Sequence, residues 1–95
     1  MKYVLLSVRD RAADAFDRPF SAVSVNVAIR SFADEINNAS GNHPFALHPE
    51  DFDLFHLGFF HDDHARFELL DHPLQIAVGK DLRRPAVPSP SASSR

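Results

Sequence analysis

The chain has 95 residues, no cysteine and a net charge of −3 with its histidines neutral. That length gives one small domain, which buries only about 60–65% of its unfolded surface, and the missing cysteine excludes a disulfide framework or a thiolate zinc site. No apolar run approaches the roughly 20 residues of a membrane helix, the N-terminus lacks a signal-peptide core, and the mild acidity excludes a general nucleic-acid coat, so a soluble intracellular protein without a membrane role is expected.

Charge is unevenly spread. Residues 50–71 carry seven acids against Arg66, whereas residues 72–95 carry Lys80, Arg83, Arg84 and Arg95 against Asp81. Such a pattern permits local phosphate contacts or self-association between unlike patches.

Residues 2–9 read as a strand, with Val4, Leu6 and Val8 on one face and Tyr3, Leu5, Ser7 and Arg9 on the other. Residues 10–23 have no sustained period; Arg11–Phe16 allow a helical turn that Pro19 limits. Ser24 is a good N-cap for an amphipathic helix over 24–38, whose stripe is Val25, Ala28, Ile29, Phe32 and Ile36. The run Asn37–Asn42 stops it, with Gly41 available for a left-handed residue. A loop through Pro44 and Pro49 leads to a strand over 52–60. His61–Ala65 form a turn, Arg66–Leu70 a returning strand, and Asp71-His72-Pro73 a second turn. Leu74, Ile76 and Val78 make a last short strand that Gly79 ends. The Pro/Ser-rich residues 83–95 are expected to be a disordered tail.

The expected fold is therefore α+β over residues 1–82: a small, mainly antiparallel sheet of three to four strands in the order β-α-β-β-β, with one helix packed on one face. In the 52–60 strand, Phe55, Leu57 and Phe59 are assigned to the helix face, together with Phe67, Leu69, Ile76 and Val78. One bulge in that strand reverses the assignment. A single helix covers one side of a sheet. The reverse side, carrying Phe52, Leu54, His56 and Phe60, is thus expected to form an interface, most simply of a homodimer.

The same side offers Tyr3, Arg9 and Arg66 to single-stranded nucleic acid, flanked by Arg11 and Arg18 and extended by Lys80, Arg83 and Arg84, since aromatic and basic groups on an open sheet stack bases and hold phosphate. His61, Asp62, Asp63, His64 and His72 crowd two turns, but they are also turn-forming residues, and no metal site is expected. There is no nucleophile elbow and no phosphate-binding glycine loop; the chain has three glycines in all. A non-enzymatic protein without cofactor or small-molecule substrate is expected.

Several short motifs occur in order along the chain: Ser7-Val8-Arg9-Asp10, Arg18-Pro19-Phe20, Ala28-Ile29-Arg30-Ser31-Phe32 with Asn37 after it, His48-Pro49-Glu50-Asp51-Phe52, Leu57-Gly58 with Phe60, and Ile76-Ala77-Val78-Gly79. Together they resemble the small nonstructural protein of gokushovirus-type Microviridae, tailless phages with single-stranded DNA, over residues 1–82. The resemblance implies a replication-associated protein of the host cytoplasm, absent from the mature virion. It would act in the switch to single-stranded DNA synthesis and packaging by binding single strands or the replication initiator. An adaptor or assembly factor without nucleic-acid binding is the alternative. The sequence departs from the family at the turn 61–65, usually Asp-rich and closed by Gly, and at Phe59, commonly polar.

Overall fold

The alternating first segment forms strand β1 (Lys2–Asp10), with Val4, Leu6 and Val8 buried as expected. The computed structural model describes residues 1–38 and 41–85; the expected tail falls mainly on residues 86–95, outside them. After β1 the chain turns back rather than starting a helix. The Asp10 carboxylate accepts the Ala12 and Ala13 N–H groups at 2.9 and 3.2 Å, and Asp14 takes a left-handed φ of 54°. Two short strands, β2 (Ala15–Phe16) and β3 (Phe20–Ala22), then pair antiparallel with β1, interrupted at Asp17-Arg18-Pro19, where proline donates no ladder hydrogen bond.

Helix α1 (Val25–Ile36) begins where its cap predicts: the Ser24 hydroxyl accepts the Val27 N–H at 3.1 Å. Ala28, Phe32 and Ile36 are buried, and Val25 and Ile29 pack at the core margin. The stop is Asn37, not Gly41, which does not adopt a positive φ. Asn37 Nδ2 donates to Ala33 O and Leu82 O, both at 2.8 Å, while its Oδ1 accepts the Arg84 N–H at 2.7 Å. One side chain thus ties the end of α1 to the end of the domain, and Arg84, assigned to the tail, is held against it. The connection expected as a loop contains a short helix α2 (Pro44–Leu47) and a 3-10 turn over Pro49–Asp51.

Strands β4 (Phe52–His61) and β5 (Arg66–Val78) form a long hairpin. The sheet runs β2-β1-β4-β5, with β3 also on β1, and every pairing is antiparallel. The two strands expected over 66–70 and 74–78 are one. The ladder skips from His56↔Leu74 to Gly58↔Leu69, so Leu70–Pro73 bulge outward where a turn was expected. Pro73 is tolerated because β5 is an edge strand. A short helix α3 (Gly79–Leu82) follows. Its first residue must be glycine because a Cβ there would lie 2.3 Å from Pro49 O and 2.5 Å from Phe52 O.

A single extra residue decides which side of β4 is buried. β1 pairs Leu6 with His56 but Leu5 with Gly58, leaving Leu57 as a bulge. Before it, Phe52, Leu54 and His56 lie on the same side as Val8 and Leu6 and are buried under the helical layer. After it, Phe59 pairs with Val4, and Phe60 pairs with Tyr3 on the reverse. The expected interface set is therefore corrected: Phe52, Leu54 and His56 belong to the interior and only Phe60 lies on the reverse side. The expected core loses Phe55, Phe67, Leu69 and Val78 to that side, Phe67 and Leu69 being 63% and 67% exposed. Gly58 beside the bulge is needed for close approach, since a Cβ would meet Glu68 O at 2.2 Å and Leu69 Cα at 2.7 Å.

Candidate functional site

Among the described residues no helix lies across the reverse side of the sheet, but the chain closes part of it. Near the β2 end, Ser7 is buried and its hydroxyl donates to Asp17 O at 2.6 Å. Asp53, opposite Arg9 in the ladder, is 1% exposed. Its Oδ2 accepts Arg11 Nε at 2.6 Å and its Oδ1 has no partner among the described residues. This hydrogen bond, reinforced by the carboxylate charge, raises the Arg11 pKa above its ordinary value. Phe16 completes the cover by packing edge-on against Phe55 at 5.1 Å.

The other end is open. Tyr3, Phe60 and Phe67 stand directly opposite one another on three successive strands. The Phe60 and Phe67 rings are 5.4 Å apart, tilted by 50°. The next row is Leu5, Gly58 and Leu69, in which Gly58 contributes no side chain. The result is an apolar, aromatic-rich half-face bounded by an edge strand. Single exposed apolar residues are normal, whereas a contiguous patch of this kind marks an interaction surface.

The expected nucleic-acid residues do not converge on it. Tyr3 does lie there. Arg9 lies at the closed end and is paired with Asp14, as Arg11 is with Asp53. Arg18 is exposed in the link between β2 and β3, its N–H held by its neighbour Asp17. Arg66 pairs with His61, which pairs with Lys2, so all three sit on the helix side. Lys80 is exposed on α3, Arg83 donates to Ala46 O, and the Arg84 guanidinium lies 3.7 Å from Asp34. Sequence reasoning missed Phe55, Phe67 and Leu69 as reverse-side residues. A hairpin closing at His61 and Arg66 sets Phe60 opposite Phe67 whichever way β4 faces, and that signal was available.

The histidine-rich turn at 61–64 does not gather a ligand set among the described residues. His61 instead bonds Glu68 at 2.9 Å, and this hydrogen bond holds the Glu68 carboxyl below its usual pKa. The side chains that do meet are His48, Glu50 and Asp51, with ligand atoms within 4.8 Å of one another. His48 and Glu50 are largely exposed and 3.7 Å apart, which makes them a solvated pair beside the 3-10 turn.

Fold and face together define a small α+β domain built on one antiparallel sheet with a half-open aromatic side. The chain belongs to the Phage ORF5 protein family, whose model matches residues 3–82. It is thus a protein of a bacteriophage family, and the match takes in every motif from Ser7 to Gly79 that carried the resemblance. No curated protein and no solved structure matches it.

Proposed function

We propose that this chain is a non-enzymatic accessory protein of single-stranded DNA phages of the Microviridae. In this reading it acts in the host cytoplasm, outside the mature virion, in the switch to single-stranded DNA synthesis and packaging. It works by occupancy: the open half of the sheet covers nascent single strands or a surface of the replication initiator and so biases which template is copied. The observation that supports this is the row Tyr3, Phe60, Phe67, three aromatic side chains in register on an uncovered face. Stacking of a base on such a platform contributes roughly 1–3 kcal/mol and tolerates any sequence, because every base has a π-face.

A second reading has its own support. Leu5 and Leu69 adjoin the row, and Arg9 and Arg11 are already neutralised by Asp14 and Asp53. A face so poor in free cations suits a protein partner or a second copy, as an adaptor or assembly factor requires. Fluorescence anisotropy of labelled single-stranded oligonucleotide over a salt series separates the two. Direct stacking predicts saturable binding at low salt with a shallow salt slope, because few phosphates are neutralised. No binding even at low salt removes the nucleic-acid reading and leaves the protein partner.

A further inference from the structure

On the other side of β1 the molecule has a second concave surface, unconnected with the aromatic row. A cleft of about 370 Å³ lies between β2 and α2, walled by Phe45 and Phe52, bordered by β2 at Ala15 and Phe16, and including Asp10 and Asp17 in its lining. It shares Val8, Asp17, His43 and Phe45 with a smaller cleft of about 200 Å³ along α1, where Phe32 and Glu35 join. The two make one groove with apolar walls. Among the described residues its lining includes three carboxylates and neither lysine nor arginine. Asp10 and Asp17 each use one oxygen on a nearby backbone N–H, and Glu35 is exposed and pairs with no base among the described residues.

Carboxylates along such a groove repel phosphate and attract cations. Phenylalanine walls at this scale accept one or two apolar side chains. We propose that this groove docks a peptide segment of a partner protein that lays an aromatic or aliphatic side chain against Phe45 and Phe52 and sets lysine or arginine against Asp10, Asp17 and Glu35. This is independent of what the sheet face holds. Val8 and Phe52 line the groove on the helix side, Tyr3 and Phe67 project from the reverse, and both surfaces stand free at once.

The test is NMR on the full ¹⁵N-labelled chain, titrated with acetyl-Arg-Leu-Phe-Arg-amide and, as control, acetyl-Glu-Leu-Phe-Glu-amide. The cationic peptide is expected to shift the Ala13, Ala15 and Phe45 amides saturably. Its affinity should weaken by about fivefold or more in Glu35→Lys, an exposed change that leaves the rest of the spectrum in place, and by a similar factor at high salt. Asp17→Asn keeps an acceptor for the Arg18 N–H and should weaken it in the same direction. The proposal is overturned if the cationic peptide gives no saturable shift by about 10 mM, a concentration that reaches even very weak complexes. It is equally overturned if the acidic peptide binds as well, if the shifts fall on Tyr3 and Phe67 instead, or if the groove amides shift on concentrating the protein alone, which would mean a second copy fills it.

Discussion

The Leu57 bulge makes opposite predictions for two large-to-small changes on neighbouring strands. Leu54 is 0% exposed, packed among Val8, Phe52 and the α1 stripe, so Leu54→Ala removes buried methyl groups and leaves a cavity. Such truncations cost about 2–5 kcal/mol. In a domain this size each kcal/mol moves the midpoint by roughly 4–8 °C, so the variant should melt at least about 8 °C lower. Phe67 is larger, but at 63% exposure on the reverse side it has little to lose: Phe67→Ala should stay within about 1 kcal/mol of the parent. Circular dichroism melts and urea titrations at one fixed, low protein concentration compare the two without an association term. If Leu54→Ala melted like the parent while Phe67→Ala collapsed, the buried side of the sheet would be the reverse one and the register described above would be wrong.

Gly58→Ala should cost about 3 kcal/mol, the upper part of the overpacking range, because the added Cβ meets β5 backbone atoms that cannot rotate away. Hydrogen exchange would show the loss first in the ladder between Gly58 and Leu69. Asn37→Ala removes two donated hydrogen bonds and one accepted one, and should cost about 1–3 kcal/mol while releasing α3; faster amide exchange at Leu82 and Arg84 checks it. Glu68 has a folded-state pKa depressed first by its hydrogen bond to His61. A depressed carboxyl adds stability that is present above its unfolded pKa and is lost as pH falls through the folded one. A carbon-detected titration should therefore place the Glu68 midpoint below the ordinary glutamate range in the parent and closer to it in His61→Ala; equal midpoints would refute the pairing.

What the sequence disclosed and what it concealed have separate physical origins. β1 and α1 were legible because each satisfies one period without interruption: Val4, Leu6 and Val8 at spacing two, and Ala28, Phe32 and Ile36 at helical spacing behind a Ser24 cap. The face of β4 was not, because apolar residues occupy both of its sides and the choice depends on the one unpaired residue, Leu57, between His56 and Gly58. β2 and β3 are too short to show a period and exist because β1 had a free edge. Pro73 reads as a strand break, yet an edge strand bulges around it. The open face was expected as a surface more than as a set of residues: Tyr3 and Phe60 were legible there, while Phe67 and Leu69 were hidden by the same misjudged pleat. The arginines were misread for another reason, since composition counts charges but does not reveal that Asp14 and Asp53 already meet Arg9 and Arg11.

The chain has one tyrosine and no tryptophan, and that tyrosine is Tyr3, in the aromatic row itself. Its emission therefore reports on the proposed platform alone. Titrating the protein with oligothymidylate at low salt should quench Tyr3 saturably, and Phe67→Ala, which deletes one stacking partner worth roughly 1–3 kcal/mol, should raise the midpoint about 5- to 150-fold with the fold intact. Emission that stays constant while the labelled oligonucleotide is bound would contradict the account, because the strand would then lie on another surface.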